Sequence, residues 1–157
     1  MKLTTRGHYS VKAMLDLSLQ PVGSLSSVRQ IAERQQLPAP YLEKLLIELR
    51  RSHLINSVRG AQGGYRLAKP AAQISLGQIL EAVGESASAM TAVTSAMTAG
   101  RSKSSTPLQA EDWVTSMLWN RLNQKIQEAF HSISLEDLYY DARSWQAAQG
   151  EGASFVV

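Results

Sequence analysis

Apolar positions recur along the chain at helical spacing in some stretches and in short strand-like runs in others. Tyr9, Val11, Ala13, Met14, Leu15, Leu17 and Leu19 crowd one stretch and predict a largely buried helix over residues 1–20, ended by Pro21-Val22-Gly23. Ser27 then stands three residues before Gln30, the spacing of a capping box, and opens a short helix with Ile31 and Ala32 as its apolar patch. Gln36-Leu37-Pro38-Ala39 breaks that helix, and Pro40 suits a first helical position, where its missing N–H is no loss. Leu42, Leu45, Leu46 and Leu49 next fall on one helical face, while Tyr41, Glu43, Lys44, Glu48, Arg50 and Arg51 occupy the other. Two apolar helices joined by so short a turn predict a helix-turn-helix, whose second helix has the shape to enter a major groove.

The rhythm then shifts to short strands. Leu54 to Arg59 reads as one strand, Gly60-Ala61-Gln62-Gly63-Gly64 as a turn with three glycines, and Tyr65-Arg66-Leu67 as the returning strand. A hairpin directly after a helix-turn-helix is the wing of a winged helix. A lone hairpin would be a plain surface feature, but Arg59 at the neck of this one is placed to reach a minor groove or a phosphate. Thr4, Thr5 and Arg6, before the first turn of the first helix, offer hydroxyls and a charge that cap the helix and can also bind a phosphate.

Beyond a connector at Lys69-Pro70-Ala71-Ala72, Ser75 and Gln78 repeat the capping-box spacing and open a short helix with Ile79, Leu80 and Val83 inward, ended by Gly84. Glu85 to Ala110 is rich in Ala, Ser, Thr, Met and Gly and predicts a long loop without a core of its own. Asp112 to Ile133 predicts a long helix with a wide apolar stripe: Trp113, Val114, Met117, Leu118, Leu122, Ile126, Ala129 and Phe130. One thin domain cannot cover that much apolar surface, so the same helix of a second copy is expected against it, alongside packing on the first helix. Ser134-Leu135-Glu136-Asp137 signals a last helix carrying Leu138, Tyr139, Ala142 and Trp145, with Gly150-Glu151-Gly152 ending it before a short apolar tail. The fold class expected is mainly α: a winged helix-turn-helix domain over residues 1–84, a sensor-type loop over 85–111, and a dimerisation helix, C-terminal helix and tail over 112–157.

Charge sharpens this picture. From Met1 to Pro70 eleven Lys or Arg stand against four acids, 11 − 4 = +7, and the total of +3 leaves 3 − 7 = −4 for the rest. A basic half that coincides with the helix-turn-helix points to a polyanion-binding face; Arg29, Arg50 and Arg51 extend it. The chain has no cysteine, which removes disulfides and thiolate metal sites. No apolar run approaches the ~18 residues of a membrane span, and the first residues lack the apolar core of a signal peptide, so a cytoplasmic location with no membrane partner is expected. His8, His53 and His131 lie far apart and in no metal or nucleophile motif, and Gly60 to Gly64 leads into a strand, not a phosphate-binding helix. Neither catalysis nor a bound metal is expected.

Several motifs occur in order here: Lys2-Leu3-Thr4-Thr5-Arg6-Gly7 with Tyr9, Tyr41-Leu42-Glu43, and Ser57-Val58-Arg59-Gly60 through Gly63-Gly64-Tyr65-Arg66-Leu67. They resemble the Rrf2 family of bacterial transcription regulators and its IscR-like members, closely from Met1 to about Gly84 and more loosely from Trp113 to Leu138. The resemblance implies a winged-helix homodimer, crossed through its long helices, that binds palindromic promoter sites in double-stranded DNA and is expected to repress. By position, Tyr41, Glu43 and Lys44 would face the major groove, with Lys44 donating to guanine or phosphate and Glu43 accepting from cytosine N4. Ser57, Arg59, Gly60, Gly63 and Gly64 would approach the minor groove and backbone. Trp113, Met117, Leu118, Leu122, Ile126 and Phe130 would form the dimer seam. Pro38 and Pro40 depart from the small hydroxyl residues that often open this helix in the family.

The larger departure is the sensor. Many members hold an iron–sulfur cluster on three cysteines before the long helix and a histidine one turn into it; others use a histidine and a glutamate of the first helix, where His8 lies, still with cysteines. Trp113 and Ser116 stand near the expected last cysteine and histidine here. No cluster or other cofactor is therefore expected, and a small molecule or protein partner is the implied effector, acting at the 85–111 loop. The alternative is a protein-interaction module that keeps the winged-helix fold and regulates an enzyme or another partner.

Overall fold

The structure, a computed structural model, describes residues 3–85 and 110–153. The expected sensor loop (85–111) lies almost wholly outside these residues, as do Met1, Lys2 and residues 154–157 of the tail.

Helix α1 spans Thr5–Leu19, and the Thr4 side chain caps it by accepting the Gly7 N–H at 3.2 Å. Helix α2, Val28–Gln35, opens on the expected reciprocal box: the Ser27 N–H donates to Gln30 Oε1 at 2.8 Å and the Gln30 N–H to Ser27 Oγ at 3.2 Å. Gln36, left-handed at φ 53°, turns the chain out of α2. Helix α3, Ala39–Arg51, starts one residue earlier than the proline signal suggested, so Pro40 is its second residue; that N–H has no intrahelical partner either. Leu42, Leu45, Leu46 and Leu49 are all 0% exposed, and with Ala13, Met14, Leu17 and Ile31 they form the floor of the core. Each such leucine contributes about 2 kcal/mol of burial.

Strands β1 (Ile55–Val58) and β2 (Gly64–Leu67) pair antiparallel, from Ile55 opposite Leu67 to Val58 opposite Gly64. Ser26 joins them as a one-residue third strand, exchanging hydrogen bonds with Tyr65 at 3.0 and 2.8 Å. After a 3₁₀ turn, Ala71–Gln73, helix α4 (Leu76–Ala82) opens on the second capping box, Ser75 with Gln78. The long helix α5 is Ala110–Ser132, and α6 is Leu135–Ala153, opened by Ser134 and Asp137 capping each other. Gly150-Glu151-Gly152 does not end α6, which runs on to Ala153; glycine lowers helix propensity by only about 1 kcal/mol and does not block the next hydrogen bond.

The intramolecular docking of the long helix also differs from expectation. Among the described residues its last turns are held mainly by α4: Phe130 and Ile126 cluster with Leu76 and Leu80, and with Leu3 and Val11 at the edge of α1. It is α6 that lies along α1, through Leu135 and Leu138. A two-hydrogen-bond clamp sets this geometry, with Leu76 N–H donating to the Ile133 carbonyl at 2.8 Å and Leu135 N–H to that of Ile74 at 2.7 Å.

Candidate nucleic-acid interface

The second helix of the motif, α3, presents a polar face above its leucines. Glu43 and Lys44 are exposed and make no side-chain hydrogen bond or ion pair among the described residues. They are free to meet base edges. Tyr41 is half-buried, its ring packed edge-on against Tyr9 at 5.9 Å between centroids, so its ring belongs to the rim of the core and only its outer edge faces outward. Arg50 donates to Ser57 Oγ at 3.1 Å, tying the end of α3 to β1, and Arg51 beside it is exposed and has no side-chain partner among the described residues. His53 takes a left-handed φ of 58° where the chain leaves α3 for β1.

Arg59, expected at the neck of the hairpin, stands at its tip instead, because β1 ends at Val58 and the chain turns from there; it is exposed with the adjoining Gly60-Ala61-Gln62 and without a side-chain partner among the described residues. Gly63 and Gly64 are required by the protein itself. A Cβ on Gly63 would stand 2.1 Å from the Val58 carbonyl oxygen, and one on Gly64 2.7 Å from the Ser26 backbone. Their place in the motif is therefore explained by the turn and by the close approach of Ser26, before any contact with DNA. Gly60, at φ 121° with open space around it, is the wing glycine left facing outward.

Arg6 departs most from its expected role. Its Nε donates to the Val83 carbonyl at 2.6 Å, and its guanidinium pairs with Glu48 of α3. It brackets α1, α3 and the end of α4, and a guanidinium so engaged is not free to bind phosphate. Thr4 and Thr5 remain exposed at the start of α1, with the Thr4 hydroxyl also serving as the cap. Arg29 is exposed and paired with Glu33 one turn along at 2.8 Å, a solvated pair that phosphate can displace.

The network that positions α2 was not legible as such. Asp16, 2% exposed in the middle of α1, accepts from Arg34 Nε at 3.0 Å, Arg34 Nη2 at 2.7 Å and Gln35 Nε2 at 2.9 Å. The hydrogen bonds from Arg34 to Asp16 hold the guanidinium pKa above its ordinary value. Arg34 also donates to Ser26 Oγ at 2.8 Å, so one cation joins α1, α2 and the third strand of the wing. The sequence signal was an acid set between Leu15 and Leu17 in an otherwise apolar helix.

The expected dimer seam is uncovered in the single chain. Trp113 is 61% exposed, and Val114, Met117, Leu118, Trp119 and Leu122 lie between 41 and 57%. Ile126 is half-buried and Phe130 buried, because α4 covers that end of α5. Among the described residues no helix is long and apolar enough to cross a membrane.

Comparison with known proteins agrees with this geometry. Residues 3–141 match the family model Rrf2, described as iron-dependent transcriptional regulator. A Synechocystis protein named as an HTH-type transcriptional regulator is 57% identical over the whole of both chains. The HTH-type transcriptional regulator IscR of Cereibacter sphaeroides is 39% identical over 88% of this chain and 86% of its own. Among solved structures, T. potens IscR superposes with a TM-score of 0.70 at 36% identity, covering 93% of this chain and 91% of that one. CymR of B. subtilis, titled the global cysteine regulator, gives 0.69 at 28% identity over 89% and 97%. An iron–sulfur cluster, suggested by these likenesses, needs thiolate donors. This chain has no cysteine, and the described residues hold no group of three or more His, Asp or Glu spaced for a metal. The donor set does not fit a thiolate-ligated cluster.

Proposed function

Because the chain belongs to the Rrf2 family and is thus a DNA-binding transcriptional regulator, not an enzyme, we propose that it works as a cytoplasmic, cluster-free homodimeric repressor of palindromic promoter sites. The observation that carries this reading is the bare apolar face of α5. Side chains from Trp113 to Leu122 lose most when left in water and gain most against a second copy of the same helix. A two-fold axis through that seam sets two copies of α3 and the wing on one side of the dimer, as a palindrome requires with half-sites roughly 34 Å apart.

Each half-site is read by unequal partners. Lys44 and Glu43 address the major groove, Lys44 donating to guanine or phosphate and Glu43 accepting from cytosine N4 while repelling misplaced phosphate. Arg59 enters the flanking minor groove or grips its backbone. Arg29, Arg51 and the Thr4–Thr5 hydroxyls hold phosphates, which position the protein without specifying sequence. Arg50 and Ser57 keep α3 and the wing in register with each other. The signal is a small molecule or a protein partner that alters the placement of the two α3 helices.

Two measurements test this. Sedimentation equilibrium should give a dimer. Selection of genomic fragments by the protein at moderate salt, with Arg59→Ala in parallel, should enrich a palindromic site for the native protein alone, with an affinity that falls steeply as salt rises. A monomer, or uniform enrichment by both proteins, overturns the reading in favour of a module that binds another protein.

A further inference from the structure

Behind the wing, away from the outer face of α3, lies a groove of about 570 Å³ between the end of α1, the Pro21–Ser24 turn and the segment from β2 into the 3₁₀ turn. That is within the size range of small-molecule sites, roughly 300–1,000 Å³. Its wall is mainly apolar, with Leu17, Pro21, Val22 and Pro70, and it holds two cations, Arg66 and Lys69, and no acid. Neither cation has a side-chain hydrogen bond or an ion pair among the described residues. Val22 stands fully exposed on the rim, an apolar side chain that none of the described residues covers.

We propose that this groove is an effector site for a small organic anion, a carboxylate, sulfonate or phosphate ester with an apolar body, and that its occupation alters DNA binding through the wing. The inference rests on the regulator reading above and moves its effector from the 85–111 loop to the back of the wing. The anion would sit between Arg66 and Lys69, and the apolar body against Leu17, Pro21 and Val22. The coupling is built into the hairpin register. Arg66 pairs across the strands with Asn56, which also lines the groove. The next pair is Ser57 with Tyr65: Ser57 holds Arg50 of α3, and Tyr65 holds Ser26. A ligand that grips Arg66 therefore acts on the strands that carry Arg59.

The test uses 8-anilinonaphthalene-1-sulfonate, an anion on an aromatic body, beside the uncharged N-phenyl-1-naphthylamine. Fluorescence titration of the full chain without DNA should show one saturable sulfonate site per chain. The double substitution Arg66→Gln, Lys69→Gln should weaken that site at least tenfold and leave the neutral dye unchanged. Ser18→Trp, which fills the groove from the surface of α1, should abolish both, with circular dichroism confirming the fold. Saturating sulfonate should also change the affinity for the selected DNA at least threefold in the native protein and not in the variants. Sulfonate binding that ignores all three substitutions places the dye elsewhere, as on α5, and overturns the proposal. Loss of DNA affinity in the Arg66, Lys69 variant without loss of dye makes these cations phosphate contacts and overturns it too, as does dye binding without any effect on DNA. Because the titration contains no DNA, failure there is distinct from failure of the regulator reading.

Discussion

Replacing Gly64 by alanine asks how the wing is held to the body. Gly64 has φ 153°, and a Cβ there would meet the Ser26 backbone carbonyl at 2.7 Å. Two costs add. The conformation is strained for a residue with a side chain, by about 1–3 kcal/mol. The clash also forces Ser26 and Tyr65 apart, at a cost of roughly 0.5–1.5 kcal/mol for each of their two hydrogen bonds. The smaller entropy of the unfolded alanine chain returns about 0.4–1 kcal/mol. The expected net loss is therefore about 3 kcal/mol at mid-range, within roughly 1–5.5 kcal/mol. Gly60→Ala is the control: its φ is 121°, but its Cβ would meet nothing within 4 Å, so it bears strain alone. Urea unfolding followed by circular dichroism, at fixed protein concentration because association shifts the midpoint, should put Gly64→Ala about 1–3 kcal/mol below Gly60→Ala. Gly64→Ala should also weaken DNA binding, since it detaches the strands that carry Arg59. Equal losses in the two variants would refute the argument that the approach of Ser26 is what demands glycine at 64.

Other perturbations probe other parts of the molecule. Arg59→Ala should weaken specific DNA binding by roughly 1–3 kcal/mol if the side chain reads a groove; fluorescence anisotropy that finds no change would remove Arg59 from the contact set. Asp16→Ala strips Arg34 and Gln35 of their shared acceptor and should cost roughly 2–4 kcal/mol in urea unfolding, because Arg34 is only partly able to recover water; a loss under half a kcal/mol would make the network incidental. Leu118→Glu puts a charge at the centre of the bare α5 face and should convert dimer to monomer in sedimentation at micromolar concentration, leaving the monomer folded because Leu118 is 49% exposed there; an unchanged dimer would place the seam elsewhere. The Ser134 backbone and hydroxyl donors hold the Asp137 carboxyl below its ordinary value of 3.8. Its folded pKa is depressed, so its cap stabilises α6 above that value and is lost as pH falls through the lower folded one. Asp137→Asn should melt below the native protein at neutral pH, with the gap closing only under strong acid.

The local signals that were legible in the sequence share one physical basis: each is satisfied by neighbours within a few residues. The Ser27–Gln30, Ser75–Gln78 and Ser134–Asp137 caps formed as spaced, because a side chain three residues away is already within reach of the backbone N–H it must satisfy. The four leucines of α3 shared a buried face because helical geometry alone aligns them. From these the order of helices, the wing and hence the class of function followed. The tertiary structure decided matters that depend on residues distant in the chain. It took Arg6 from phosphate to Glu48, 42 residues away, because a cation at the meeting of three helices is held there by a nearby carboxylate and carbonyl. It gave Asp16 its partners in α2, required glycine at 64 through the backbone of Ser26, and let α6 instead of α5 lie along α1. Sequence periodicity reports which side of an element leaves water; which surface meets it there depends on how elements far apart in the chain are packed, and that is a property of the assembled core.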